Sequence, residues 1–172
     1  MFLSVHEMEL RTVRFERTYP PGAIQFLDPK LRQAGPLAVQ GSAELLPNSG
    51  GEIRVRGRLS VRMEAECDVC LDIAAYPLEV EFDLFYQPAA AGPRKEEVAL
   101  RLEDSELDFY EGEGLELEDV LREQVLLALP MHRVCREDCQ GICPVCGANR
   151  NRVQCGCRQK APDDRWAALR EL

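Results

Sequence analysis

Eight cysteines dominate what this 172-residue chain can become, because they are grouped rather than scattered. Cys67 and Cys70 form one pair, and Cys135, Cys139, Cys143, Cys146, Cys155 and Cys157 fall within 23 positions. The compartment decides how such thiols are used. Met1 to Leu10 carries Glu7 and Glu9 and has neither a basic start nor an apolar stretch, so it does not read as a signal peptide. The longest apolar run, Val125 to Met131, is far short of the roughly 20 residues needed to cross a bilayer. A soluble, cytoplasmic protein without a membrane role is expected, and in a reducing cytoplasm grouped cysteines point to metal or redox chemistry rather than disulfides. With 45% hydrophobic residues the chain can bury a core without a disulfide scaffold.

Metal is the stronger reading. Cys143-Pro144-Val145-Cys146-Gly147 has the spacing of a zinc knuckle: two intervening residues let both sulfurs face one ion, and the glycine lets backbone amides turn toward them. Cys155-Gly156-Cys157 follows after eight residues and completes a tetrahedral set. Four cysteines remain, Cys67, Cys70, Cys135 and Cys139, enough for a second ion. The spacing of Cys135 and Cys139 puts them on one face if that segment makes a helical turn. In the other arrangement Cys135 or Cys139 completes the C-terminal site and some thiols stay free. One or two Zn2+ ions are therefore expected.

Competing chemistries fit less well. A redox Cys-x-x-Cys usually has a helix N-terminus lowering one thiol pKa, whereas Cys67-Asp68-Val69-Cys70 is flanked by Glu64, Glu66, Asp68 and Asp72, which are expected to raise it. Knuckle spacing favours zinc over an iron–sulfur cluster. His6 and His132 are the only histidines and neither sits in a hydrolase motif, although His132 could substitute as a ligand. Four thiolates close a zinc ion to substrate, so no enzyme activity, catalytic residue or small-molecule substrate is expected.

The remaining pattern predicts an α+β fold, mainly antiparallel sheet with one packed helix and a C-terminal Cys-rich zinc-binding segment. From Glu52 to Glu66, apolar Ile53, Val55, Leu59, Val61, Met63 and Ala65 alternate with mostly charged residues, and Leu78, Val80, Phe82, Leu84 and Tyr86 repeat the alternation. Cys67 to Cys70 then lies at a hairpin tip. An earlier strand covers Leu37 to Leu46 and ends at Pro47-Asn48-Ser49-Gly50-Gly51, and a weaker one includes Leu10 to Phe15. Pro88 to Lys95 reads as a loop, Val98 to Leu102 as a further alternation, and Glu111-Gly112-Glu113-Gly114 as a turn. Leu117, Val120, Leu121, Val125 and Leu129 lie at helical spacing, broken by Pro130. The expected organisation is a β-rich domain over 1–130, a metal-ordered segment over 131–160 with too little apolar content to fold unaided, and a helical tail over 161–172 that docks through Trp166, Leu169 and Leu172.

Net charge is −9, but residues 63–129 carry −15 and the flanking parts +3 each. That distribution is either a well-solvated acidic face or a polarity with basic ends for RNA phosphate and an acidic middle for a basic protein.

The Cys67-x-x-Cys70-Leu71 hairpin, the acidic stretch, the helix ending in Leu129-Pro130, and the run Cys135-Arg136-Glu137-Asp138-Cys139-Gln140-Gly141-Ile142-Cys143-Pro144-Val145-Cys146-Gly147-Ala148-Asn149 resemble the YceD family over residues 35 to 172. At the tail, where that family carries Asp-Pro-Arg, this chain has Asp163-Asp164-Arg165-Trp166. The resemblance implies a non-enzymatic role in accumulation of large-subunit ribosomal RNA and ribosome biogenesis, with rRNA or a large-subunit ribosomal protein as partner. Because some members of that family keep only the hairpin pair and the pair after Leu-Pro, it also implies two independent quartets: Cys67, Cys70, Cys135 and Cys139, then Cys143, Cys146, Cys155 and Cys157. With charge polarity, it makes Arg54, Arg56, Arg58 and Arg62, which share one strand face, and Arg150, Arg152, Arg158 and Lys160 the expected RNA-facing residues. An ordinary solvent face is the bland alternative for that arginine row. A redox-regulated zinc-dependent chaperone is the alternative function.

Overall fold

The alternation at residues 52–66 becomes the central strand of the molecule. The computed structural model describes residues 1–89 and 107–157. In chain order its elements are β1 (Phe2–Ser4), α1 (Val5–Leu10), β2 (Val13–Tyr19), β3 (Leu31–Gln33), β4 (Leu37–Leu45), β5 (Ile53–Glu66), β6 (Ile73–Pro88), β7 (Leu107–Tyr110), β8 (Gly114–Glu116) and α2 (Leu117–Ala128). The larger sheet runs β2-β4-β5-β6-β7, with β3 also paired to β5, and β1 pairs with β8 in a two-stranded sheet. The fold is α+β with a mostly antiparallel sheet. β2/β4, β3/β5 and β4/β5 are antiparallel, and β7 joins β6 in parallel. β5 and β6 are hydrogen-bonded neighbours joined by six residues, a connection short enough only for an antiparallel hairpin.

Odd-numbered β5 residues from Ile53 to Ala65 point into the core, Gly57 among them, while Arg56, Arg58, Ser60 and Arg62 are exposed. One row of this buried face carries no side chain on its two inner strands. Gly41 pairs with Gly57, and Phe15 pairs with Gly41. A Cβ on Gly41 would lie 2.4 Å from the Arg56 carbonyl oxygen and 2.7 Å from the Phe15 ring; one on Gly57 would lie 2.6 Å from the Gln40 carbonyl oxygen and 2.9 Å from the Phe82 ring. The two buried phenyl rings fill the space the glycines leave.

α2 buries Leu117, Val120, Leu121 and Val125, the residues its periodicity marked. It ends at Leu129 in extended conformation, as the following Pro130 requires. A second helix, α1, was not expected: six residues with one buried side chain, Met8, are too short to display a period. The strand expected over Leu10 to Phe15 starts at Val13, because Leu10 ends α1. Pro88 ends β6, and from residue 90 the loop expected as far as Lys95 lies outside the described residues. The expectations for Val98 to Leu102 and for the 161–172 tail lie outside the described residues.

The chain divides into two compact units. One is Met1–Ala65 with Ala75–Met131; the other joins the hairpin tip Glu66–Ala74 to the segment from His132 onward. The buried apolar cluster lies wholly in the first. Among the described residues no helix is long and apolar enough to cross a membrane.

Candidate metal centre

All eight cysteines belong to the second unit, and none is disulfide-bonded. They form two groups, Cys67, Cys70, Cys135 and Cys139, and Cys143, Cys146, Cys155 and Cys157, with the sulfurs of each group within 4.8 Å of one another. Four thiolates arranged tetrahedrally at about 2.3 Å from a zinc ion stand about 3.8 Å apart. Cys67 and Cys139 Sγ are 3.9 Å apart and Cys70 and Cys135 Sγ 3.7 Å, so the first quartet has the dimensions of such a cage.

Each quartet starts from the same backbone device. In the first, the Leu71 N–H donates to the Cys67 carbonyl at 2.9 Å and the Cys67 N–H to the Asp72 carbonyl at 2.8 Å. In the second, the Gly147 N–H donates to the Cys143 carbonyl at 2.9 Å and the Cys143 N–H to the Ala148 carbonyl at 2.8 Å. The turn needs a left-handed residue after the second cysteine. Gly147 takes φ +73° at no steric cost, whereas Leu71 takes φ +62° with its side chain exposed. Cys135 and Cys139 do not sit on a helical turn. A bend closed by the Cys139 N–H on the Arg136 carbonyl at 3.1 Å brings their sulfurs together instead.

The turns aim amide protons at sulfur. Burial pushes the Cys67 thiol up, but backbone N–H groups of Cys135, Cys70 and Val69 outweigh it and hold the pKa at about 6. The shift runs opposite to the rise expected from the acidic neighbours, because backbone amides set its direction. Backbone N–H groups of Cys146 and Val145 likewise hold Cys143 at about 6. Burial and the neighbouring thiols push Cys135 up to about 12, and the Cys146 side chain followed by burial does the same to Cys157. Each quartet thus pairs a thiol lowered by backbone amides with one raised by burial and its neighbouring sulfurs. A soft divalent ion with a preference for thiolates, such as zinc, fits both donor sets.

Residues around the sulfurs supply further hydrogen bonds. Asn151 Nδ2 donates to Cys139 Sγ at 3.4 Å, the Cys135 N–H to Cys67 Sγ at 3.4 Å, and Arg150 Nη2 lies 3.9 Å from Cys143 Sγ. His132 Nδ1 is 3.3 Å from Asp68 Oδ2, and neither quartet includes it. Spacing alone did not mark Asn149 and Asn151; the only signal was their place between the two ligand pairs of the second quartet.

The basic residues expected to face RNA divide by partner. Arg54 is held by Asp83 through two bonds of 2.8 and 2.6 Å and lies 5.4 Å from the centroid of the Phe85 ring. Arg152 is paired with Asp72 at 2.8 Å, and Arg150 serves Cys143. Arg56 reaches the neutral Ser42 at 3.4 Å, and Arg58 lies against the Gln40 amide, which accepts from it at 2.6 Å once turned to present its oxygen. Arg62 is exposed. The strand register adds Arg14, placed opposite Ser42 and so in one cross-strand row with Arg56, a neighbour no single-strand pattern reveals. Arg158 and Lys160 lie outside the described residues.

An uncharacterized protein of Mycobacterium tuberculosis and another of Mycobacterium bovis are each 31% identical over 121 residues, which is 70% of this chain and 55% of theirs. The chain thus spans about half the length of these mycobacterial relatives. The uncharacterized protein YlbN of Bacillus subtilis is 22% identical over 172 residues, 98% of this chain and 92% of that protein. No solved structure matches. Residues 55–172, which contain all eight cysteines, match the model of the family described as large ribosomal RNA subunit accumulation protein YceD, and the chain belongs to that family.

Proposed function

We propose that this protein is a cytoplasmic, non-enzymatic factor for large-subunit rRNA accumulation whose cysteine unit is ordered by two structural zinc ions. The observation that carries the reading is the pair of four-cysteine groups in a chain whose family is described by that role. Four thiolates per ion leave no coordination position for substrate, so the ions order the chain and do no chemistry. Arg14, Arg56, Arg58 and Arg62, whose charges are not spent on ion pairs among the described residues, form the RNA-facing set on the sheet; Arg54 and Arg152 contribute less because carboxylates already hold them. Depletion of the protein should lower mature large-subunit rRNA relative to small-subunit rRNA, measured by quantifying both in total RNA. An unchanged ratio would end this reading. The purified full chain should carry two zinc ions by elemental analysis, and its binding to large-subunit rRNA should weaken steeply with added salt.

A redox-regulated chaperone is the second reading, favoured by the eight clustered free cysteines and by the exposed Cys146. Peroxide would then convert pairs of thiolates to disulfides, itself being reduced to water, with release of zinc. Holdase activity appearing with zinc release would favour it; zinc release without such activity would not.

A further inference from the structure

The outer hydrogen bonds of the first quartet come from the loop that the second quartet closes. Residues 147–154 join the Cys143/Cys146 pair to the Cys155/Cys157 pair and contain no buried side chain. Asn151 donates to Cys139 Sγ, and its Oδ1 accepts from the Gln140 N–H and from Arg136 Nη2, both at 2.8 Å, so its amide is locked with the NH2 toward sulfur. Asn149 Nδ2 donates to Asp72 Oδ2 at 2.8 Å and lies 3.5 Å from the Cys70 carbonyl, and Arg152 holds the other Asp72 oxygen. Support also runs the other way. The Ile142 N–H donates to the Val69 carbonyl at 3.1 Å, and Gly141, at φ +68°, lies so close to Val69 that a Cβ would come within 2.8 Å of its side chain. Ile142 bridges Asn149, and the Arg150 N–H donates to the Gly141 carbonyl at 2.8 Å.

A polar loop of this kind has no apolar burial to hold its shape, so its two ends must be fixed for Asn149 and Asn151 to stand where they do. We propose that the two quartets bind metal cooperatively: an ion at Cys143, Cys146, Cys155 and Cys157 orders Asn149–Arg152, and Asn151 then positions Cys139 for an ion at Cys67, Cys70, Cys135 and Cys139. This rests on the two-zinc reading above. Linkage makes the effect reciprocal, so each ion raises the affinity for the other by the same factor. Asn151 is a positioning residue, acting through the sulfur it hydrogen-bonds.

Native mass spectrometry of the full, reduced chain with one equivalent of Zn2+ reads the coupling directly. Between sites of equal intrinsic affinity a hundredfold coupling leaves only about one tenth of the chains with a single ion, the rest being metal-free or doubly loaded. Uncoupled sites put about half or more of the chains in the single-ion state, and that distribution would overturn the proposal. Asn151→Asp keeps the acceptor for Gln140 and Arg136 but loses the donor to Cys139. It should raise the single-ion fraction severalfold and lower first-quartet affinity for Co2+, followed by its thiolate charge-transfer absorption, by about tenfold or more. An Asn151→Asp distribution identical to the parent would remove Asn151 from the coupling. A parent chain that takes up neither Zn2+ nor Co2+ would instead sink the metal reading itself, a distinct result.

Discussion

The two units of this chain are ordered by opposite means. In the unit containing the sheets and α2, the core is a continuous apolar cluster from Leu3 to Leu129. In the cysteine unit, the buried apolar residues among those described are Cys67, Cys70 and Cys143, with Ala74. One unit therefore derives its order from removing hydrocarbon from water, and the other has sulfur where a core would be. Length and overall hydrophobicity average over both and conceal the contrast, which is visible only when burial is assigned residue by residue.

Metal removal is the largest way to break this comparison. Structural zinc contributes about 10–16 kcal/mol of apparent binding free energy in small zinc-dependent folds, so chelation should unfold the cysteine unit outright. Amide hydrogen exchange in the chelated chain should show lost protection at Cys67, Leu71, Cys143 and Gly147, with protection retained in β4 and β5. Equal loss in both units would abolish the distinction.

The converse experiment targets the glycine row. Gly57→Ala drives a methyl group toward the Gln40 carbonyl oxygen and the Phe82 ring, and should cost the sheet about 2–3 kcal/mol. Urea unfolding should register that loss while zinc stoichiometry stays unchanged.

A smaller effect compares the two knuckles. Leu71→Gly relieves a left-handed leucine and should strengthen zinc binding by about 0.5–1 kcal/mol, while Gly147→Ala should weaken it by about 1 kcal/mol. Competition with a chromophoric chelator measures both, and shifts of the same sign would show that the turns are not equivalent.

The smallest expected effect belongs to the sheet surface. Arg54 holds the Asp83 carboxyl below the usual carboxylate range, first by hydrogen bonding and, against some opposition from burial, by its charge. A depressed folded-state pKa gives stability that is present above the unfolded value of about 4 and lost as pH falls through the folded value. Because both side chains are substantially exposed, Asp83→Asn should cost only about 0.5 kcal/mol at pH 7, and the two melting temperatures should converge toward pH 3.

What the sequence displayed follows from the same contrast. β4, β5, β6 and α2 were legible because one buried face imposes a period of 2 or 3.6 on a long enough stretch. α1, β3 and β7 were not, being too short for a period or defined by a distant partner. At the candidate site the pair spacing displayed both knuckles. The amides lowering the Cys67 thiol were hidden, because they arise from the fold of the turn rather than from side-chain identity, and counting Glu64, Glu66, Asp68 and Asp72 predicted the wrong direction. Asn151 was hidden for a similar reason, since only the folded loop places it at Cys139.

The first quartet also has a calendar. Cys70 and Cys135 are 65 residues apart, so during synthesis at about 5–20 residues per second the first pair waits on the order of 3–13 seconds for the second to be made. Through that interval Cys67 and Cys70 stand without the two cysteines they meet in the folded chain, their thiols open to oxidants. The second quartet needs only the residues through Cys157 and assembles almost as it is made. The nascent chain is thus most vulnerable while its earliest thiols are waiting for their latest partners.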